Sequence, residues 1–93
     1  MDVIWDPAKA RSNLKKHGVS FADMETVFYG PFAISFEDPG STDENRYVVV
    51  GMDALSRVVV VVYAYRNVAV RLISARKATK SEREAYEAGV RFQ

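Results

Sequence analysis

Residues 57–80 read RVVVVVYAYRNVAVRLISARKATK, which combines a long β-rich run with six basic side chains and no acidic one. Within the β-rich run Val58–Tyr65, both faces of Val58–Val62 are apolar, which predicts a central strand covered on two sides. Arg66-Asn67 predicts a two-residue hairpin turn, after which Val68–Ser74 returns as the neighbouring strand. The basic residues are Arg57, Arg66, Arg71, Arg76, Lys77 and Lys80. Cations placed on and just after such a hairpin favour a surface that holds a polyanion.

Alternation along the returning strand predicts which side chains share a face of the sheet. With Arg66-Asn67 as the turn, Val62 pairs with Arg71. Strict alternation then places Arg71, Ile73 and Ala75 on one face. An unpaired charge in the middle of a strand is costly, so Arg71 requires a carboxylate, a carbonyl or an anionic ligand.

Two short helices, joined by a tight turn into a helical hairpin, are predicted ahead of the sheet. Asp6 can cap the first helix, Pro7 suits its first turn, and Gly18 supplies a left-handed end. A capping-box pattern that begins at Ser20 starts the second helix, and Gly30-Pro31 ends it.

The remaining elements are strands and a last helix. Met1–Trp5 is predicted to be a strand or an extended arm, and Phe32–Phe36 and Tyr47–Met52 are predicted strands. Thr79–Glu82 forms a second capping box, which opens a helix that ends near Ala88. The resulting order is strand, helix, helix, three or four antiparallel strands and helix, which is typical of the α+β class.

Length and composition exclude several classes of protein. The chain, with 48% hydrophobic residues, suffices for one folded domain, which we assign to residues 1–93. With no cysteine and one histidine, neither a thiolate nucleophile nor an all-protein metal cage is expected, and no cofactor is predicted. We see no signal-peptide pattern, and the longest apolar run is too short to cross a bilayer. A soluble cytoplasmic protein without membrane contact is therefore expected.

Two groups of basic residues could carry chemistry. The set Arg66, Arg71, Arg76, Lys77 and Lys80 could bind phosphate, or could be solvated charge with one internal salt bridge. His17, which follows Lys15 and Lys16 at the end of the first helix, could serve as a general acid or base near neutral pH. The alternative for His17 is a structural role, in which it bonds the last carbonyls or packs on the second helix.

Aromatic and acidic residues form two further groups. Tyr47, Tyr63 and Tyr65 could stack nucleobases, although core packing is favoured for the first two and Tyr65 stays open. The acidic loop carries Glu37, Asp38, Asp43 and Glu44. Its spacing is typical of a solvated loop rather than of a metal site.

Several blocks of the sequence together resemble a known family. They are Ile4–Pro7 with Lys9-Ala10 and Asn13, Lys16–Phe21, Val27-Phe28, Asp43–Arg46, Gly51, Arg71–Ala78, and Glu82-Arg83 with Tyr86. In this order and at these distances they resemble the BrnT toxins of bacterial type II toxin–antitoxin systems. The most specific parts are KHGVSF, RLISARKA and the ERxxY tail.

The resemblance implies a RelE-like α+β fold. An N-terminal helical hairpin would pack on a twisted antiparallel sheet of about four to five strands, followed by a C-terminal helix. It implies an endoribonuclease toxin that cleaves RNA without a metal ion and inhibits translation. The implied partner is a BrnA-type antitoxin with a ribbon-helix-helix half, and operator DNA would be bound only through the toxin–antitoxin complex. A homodimer through a sheet edge is a further expectation.

The resemblance also suggests roles for single residues. Arg71 and Arg76 would stabilise the phosphorane, and Lys16 and His17 would transfer protons. The expected RNA-binding residues are Lys15, Tyr65, Arg66, Lys77 and Lys80. One departure from the family pattern is Ala64–Asn67, which offers no carboxylate as a base. A catalytically degenerate homologue that acts as antitoxin partner or co-repressor, and a general RNA-binding domain, therefore remain alternatives.

Overall fold

A five-stranded sheet lies at the centre of the computed structural model, which describes residues 1–40 and 45–91. The strands are β1 (Val3–Ile4), β2 (Ile34–Glu37), β3 (Tyr47–Met52), β4 (Val58–Arg66) and β5 (Ala69–Lys77), in the spatial order β1-β5-β4-β3-β2. The helices are α1 (Pro7–His17), two 3₁₀ helices over Phe21–Asp23 and Glu25–Tyr29, and α2 (Lys80–Arg91). The predicted α+β class and the order of the elements are confirmed.

Helix α1 has the ends that the sequence predicts. Asp6 Oδ1 accepts a hydrogen bond from the Ala8 N–H at 2.8 Å, and Pro7 is the first helical residue. At the other end Gly18 has a left-handed φ of 71°, and its N–H donates to the carbonyl of Leu14 at 2.9 Å. Capping at both ends fixes where the basic last turn of α1 lies.

The predicted second helix is present, but as two consecutive 3₁₀ helices rather than as one α-helix. Ser20 Oγ accepts from the Ala22 N–H at 3.3 Å, so the predicted cap is present. Phe21, Met24 and Val27 follow at intervals of three residues, and each is at most 1% exposed. Since a 3₁₀ helix has three residues per turn, this spacing places all three side chains against the sheet.

The sheet is mixed rather than wholly antiparallel as predicted. Strands β2 to β5 pair antiparallel, and the bounds predicted for β3 are confirmed. Strand β1 adds to the outer edge of β5 in parallel, with Val3 beside Val70 and Ile4 beside Arg71. Most of the chain separates these two strands, so the pairing is a long-range contact that local patterning does not reveal.

The β4–β5 hairpin turns one residue later than predicted. Arg66 pairs with Ala69, so Asn67 and Val68 form the turn instead of Arg66-Asn67. Asn67 has a left-handed φ of 57°. Asparagine tolerates this conformation better than most residues, which explains its place at the first turn position.

A β-bulge interrupts the same hairpin. Val62 pairs with Ser74, whereas the next pair along joins Tyr63 to Leu72. Ile73 therefore faces no residue of β4. One extra residue in a strand reverses the alternation of side chains beyond it.

The two faces of the sheet are covered by different helices. The helix-side face packs on α1 and the 3₁₀ helices, where the buried cluster contains Val19, Phe21, Met24, Val27, Val49, Val59, Val61, Tyr63, Val70, Leu72 and Ala75. The opposite face, which we name the α2-side face, carries Ile34, Phe36, Val48, Val50, Val60 and Val62. Helix α2 lies over part of it, with Tyr86 only 7% exposed.

Helix α2 begins at the predicted capping box. The Glu82 N–H donates to Thr79 Oγ1 at 3.2 Å, and the Thr79 N–H donates to Glu82 Oε1 at 2.8 Å. The helix then continues to Arg91, so the end predicted near Ala88 is wrong. Gly89 costs about 1 kcal/mol relative to alanine in a helix, which is too little to stop one. Over the described ranges, 1–40 and 45–91, no helix is long and apolar enough to cross a membrane.

Candidate active site

The bulge at Ile73 brings two predicted catalytic arginines to one face of the sheet. Arg71, Ser74 and Arg76 lie opposite alternate residues of β4, so they share the α2-side face. Residues five apart in a regular strand would lie on opposite faces. For the same reason the predicted position of Ala75 beside Arg71 is wrong, because Ala75 is in the core and 1% exposed.

Arg76 is held by a carboxylate from α2. Its Nη1 donates to Glu82 Oε1 at 2.7 Å, and its Nη2 donates to Glu82 Oε2 at 2.9 Å. Two parallel hydrogen bonds of this kind are the strong geometry for an arginine and a carboxylate. The hydrogen bonds from Arg76, followed by that from the Thr79 N–H, lower the pKa of Glu82 from 4.5 to about 2. The carboxylate in turn raises the pKa of Arg76.

This pair does not use all the donors of Arg76. A guanidinium has five N–H hydrogens. Two go to Glu82, and Nη1 also donates to the carbonyl of Lys77 at 3.3 Å. Within the described residues, the Nε–H and the second Nη2–H therefore remain for an anion. These two lie side by side on one edge of the group, where they can bind a phosphate with two hydrogen bonds.

A cavity of about 260 Å³ opens beside this pair, and we name it the arginine cavity. Its lining is Phe36, Asp38, Pro39, Val48, Val50, Val60, Val62, Ser74, Arg76 and Glu82. Apolar walls from the sheet surround Arg76, which keeps 41% of its side chain exposed, and the carboxylates of Glu82 and Asp38 lie at the same wall. The cavity is therefore a place where an anion can reach the guanidinium and lose part of its water.

A second cavity, of about 240 Å³, lies between α1 and β5, and we name it the helix cavity. It is lined by Lys9, Ser12, Asn13, Lys16, His17, Ile73 and Ser74. Lys9, Ser12 and Lys16 share one face of the helix, since they are three and four residues apart. Ser74 lines both cavities. The structure thus places Lys16 and His17 next to the strand that carries Arg71 and Arg76.

Asn13 fixes α1 against β5, a role that sequence reasoning missed. Its Oδ1 accepts from the Ala75 N–H at 3.0 Å, and its Nδ2 donates to the Ala75 carbonyl at 2.9 Å and to the Val19 carbonyl at 3.3 Å. Strand β1 ends beside Arg71 and does not reach Ala75. The side-chain amide of Asn13 bonds the backbone of β5 there, as a neighbouring strand would. The signal that could have revealed this role is a polar residue on the face of α1 that packs against the sheet.

The predicted RNA-binding residues do not form one group. Tyr65 and Arg66 lie at the hairpin end of the sheet, and both are exposed. Lys77 is the last residue of β5, at the opposite end of that strand, and Lys80 begins α2. Lys15 is exposed on the last turn of α1 and does not line the helix cavity.

The tyrosines pack together on the helix-side face. Tyr63 is 4% exposed and its hydroxyl bonds Ser35 Oγ at 2.6 Å. Burial is the largest effect on the pKa of Tyr63, which is raised. Tyr47 stacks on Tyr63 at 5.7 Å between ring centroids and is half-buried, so the core interpretation holds for both. Tyr65 touches both rings by its edge or face and stays 58% exposed.

The acidic loop contributes one residue to the site. Asp38 lines the arginine cavity, and its Oδ1 accepts from the Gly40 N–H at 3.0 Å. Asp43 and Glu44 lie outside the described residues. Among the residues that the structure describes, no group of three or more His, Cys, Asp or Glu side chains could hold a metal ion.

Comparisons with known proteins agree with this architecture. The model of the family described as the ribonuclease toxin BrnT of type II toxin–antitoxin systems matches residues 5–82. The chain is also similar to the crystal structure of the Brucella abortus ribonuclease toxin BrnT, with a TM-score of 0.66 and 28% sequence identity over 86% of this chain and 99% of that one. No curated protein matches. Because the family model covers most of its length, the chain belongs to the BrnT family of ribonuclease toxins, which act in type II toxin–antitoxin systems and so imply an antitoxin partner.

Proposed function

We propose that this protein is an active endoribonuclease, which cleaves RNA without a metal ion and thereby inhibits translation. Family membership supports the class of reaction. Ser74 lines both the arginine cavity and the helix cavity, and this shared residue is the observation that supports the idea that one phosphodiester contacts groups from both. The proposed catalytic residues are Lys16, His17, Arg71 and Arg76.

Metal-free cleavage of RNA makes three demands on the protein. The 2′-hydroxyl must lose its proton and attack the adjacent phosphorus. The bond from phosphorus to the 5′-oxygen must break as that oxygen takes up a proton, which leaves a 2′,3′-cyclic phosphate and a 5′-hydroxyl. Cations must stabilise the charge of the pentacoordinate phosphorane between these steps.

Residues of the two cavities can meet these demands. An imidazole can take up or release a proton near neutral pH, so His17 and the neighbouring Lys16 carry the proton transfers in this proposal. The two remaining donors of Arg76 bind the non-bridging oxygens of the phosphate. Arg71 adds positive charge on the same face of the sheet. Lys15, Tyr65, Arg66, Lys77 and Lys80 remain proposed contacts to flanking RNA.

Cleavage of a labelled RNA by the purified protein tests this proposal. We expect products that end in a cyclic phosphate, and a loss of about 100-fold or more in rate for Arg76→Ala, since one stabilising donor group is worth that much. Arg83→Ala is the matched control, because it removes an arginine of α2 that lines neither cavity. Equal cleavage by folded Arg76→Ala and Arg83→Ala would contradict the role of Arg76.

We further propose that a BrnA-type antitoxin with a ribbon-helix-helix half neutralises this toxin and represses the operon only as a complex. A short neighbouring gene of that type should restore growth on co-expression, and operator binding should need both chains. If the wild-type protein forms this complex but cleaves no RNA, the chain is instead a degenerate homologue that acts as antitoxin partner or co-repressor. The segment Ala64–Asn67, which carries no carboxylate, favours that second candidate.

A further inference from the structure

We propose that Glu82 is a positioning residue for catalysis, which holds Arg76 so that its free edge meets the scissile phosphate. This inference rests on the proposed ribonuclease function. Glu82 touches the guanidinium and not the reacting atoms in this scheme. It therefore acts through Arg76, and we do not assign it the role of base.

The carboxylate binds the end of the guanidinium that a phosphate does not need. Nη1 and Nη2 both donate to Glu82, at 2.7 and 2.9 Å. The third used hydrogen, on Nη1, points to the Lys77 carbonyl at 3.3 Å. Three contacts on two sides of the planar group fix its orientation. The Nε–H and the second Nη2–H then form the one edge that is left for an anion in the arginine cavity.

Glu82 is itself held in place by hydrogen bonds with Thr79. Its Oε1 also accepts from the Thr79 N–H at 2.8 Å, and its own N–H donates to Thr79 Oγ1 at 3.2 Å. The carboxylate thus has three hydrogen bonds and sits in the first turn of α2, which follows β5 after two residues. A long arginine side chain loses rotational freedom when it is held in this way, and that entropy cost then does not fall on the transition state of cleavage.

Stability alone is a weak explanation for this arrangement. The side chains of Arg76 and Glu82 are 41% and 34% exposed. Ion pairs at such exposure contribute only about 0–1 kcal/mol to folding. A pair placed at the wall of the arginine cavity, with the phosphate-binding edge of the arginine still available, is better explained by orientation of that edge.

Glu82→Gln and Glu82→Ala test the proposal by single-turnover cleavage of a defined RNA. We expect the rate of the chemical step to fall roughly 10- to 100-fold in Glu82→Ala, because a misplaced catalytic group loses that much. Glu82→Gln should lose less, since its carbonyl oxygen keeps one hydrogen bond to Arg76. KM should change little, because the flanking RNA contacts are intact.

Thr79→Ala is the matched control for the helix cap. It removes the other half of the capping box and leaves both hydrogen bonds between Glu82 and Arg76. If Glu82 acts only by stabilising α2, Thr79→Ala should lose activity to the same extent. We expect it to lower the melting temperature and to keep the cleavage rate.

A double-mutant cycle separates positioning from an independent effect. In the Arg76→Ala background, Glu82→Ala should cause no further loss, because the residue it positions is absent. Additive losses would overturn the proposal. So would faster cleavage by Glu82→Ala, since that result would mean that the carboxylate competes with the phosphate for Arg76.

Binding of a 2′-O-methyl RNA distinguishes failure of this inference from failure of the proposed function. That RNA cannot be cleaved, so its affinity reports recognition alone. A wild-type protein that neither cleaves RNA nor binds the methylated one overturns the ribonuclease proposal and this inference together. A wild-type protein that cleaves, with Glu82→Ala equally fast, overturns the inference alone.

Discussion

The ion pair between Arg76 and Glu82 makes the stability of this protein depend on pH at the acid end. The pKa of Glu82 is lowered in the folded chain from 4.5 to about 2, so folding favours the ionised form. Its contribution is fully present above the unfolded pKa and is lost as the pH falls through the folded one. Because the pair is about one third exposed, the contribution is at most about 1 kcal/mol.

Urea unfolding of the wild type and of Glu82→Gln checks this expectation. The difference in free energy of unfolding should be constant near neutral pH and should shrink between about pH 4.5 and about pH 2. Arg83→Ala provides the comparison for loss of a surface arginine pair, since Arg83 lies 3.9 Å from the more exposed Glu87. A difference that stays constant down to the lowest pH would show that the carboxylate does not stabilise the fold.

Sequence patterns suggested Arg76 as a candidate phosphate ligand but did not link it to Glu82. The capping box correctly predicted that Glu82 bonds Thr79. The second contact of the same carboxylate depends on which face Arg76 occupies, and that face is set by the bulge at Ile73. A bulge follows from packing across the sheet, so alternation in the sequence alone gives the opposite answer.

At the level of elements, Asn13 joins α1 to the strand of the active site. It is 7% exposed and bonds both backbone groups of Ala75. Asn13→Ala leaves these groups without their partner, and we expect a loss of about 2–4 kcal/mol in the free energy of unfolding. Ser12→Ala, one residue away on the exposed surface, should cost little. Equal urea midpoints for the two variants would contradict this role.

The 3₁₀ helix over Glu25–Tyr29 packs so closely on β3 that one position needs glycine. A Cβ added at Gly51 would lie 3.0 Å from Val27 Cγ1 and 3.3 Å from the Val27 carbonyl oxygen. We expect Gly51→Ala to destabilise the fold by about 1–3 kcal/mol through overpacking. Gly89→Ala is the control, because a Cβ there meets no atom within 4 Å. It should be neutral or slightly stabilising in thermal unfolding.

Elements with strong local signals were predicted, and those fixed by distant contacts were not. The caps at Asp6, Gly18 and Thr79 are local hydrogen bonds, and the structure contains each of them. The second helix was predicted but not its type, because burial at every third residue, from Phe21 to Val27, favours 3₁₀ turns. The parallel pairing of β1 with β5 joins strands that lie far apart in the sequence, as in the pair Val3 and Val70, so no local pattern predicts it.

At the scale of the whole molecule, the proposed chemistry needs no metal ion. The cations come from arginine and lysine side chains, and the proton carriers come from α1. We expect cleavage rate and melting temperature to be unchanged by excess EDTA. Restoration of lost activity by added magnesium, but not by added sodium at equal ionic strength, would show that the proposed mechanism is incomplete.

The bulge at Ile73 decides which face of the sheet Arg76 occupies relative to Arg71. Arg71 and Arg76 are five residues apart in sequence, but their partners in β4, Ala64 and Val60, are four residues apart. Both arginines therefore lie on the same face of the sheet. Deletion of Ile73 would leave Arg71 and Arg76 four residues apart in a regular strand, and therefore still on the same face. A substitution that straightens β5 without removing a residue would instead place the two arginines on opposite faces, so a mutation that changes no charged side chain can still separate them.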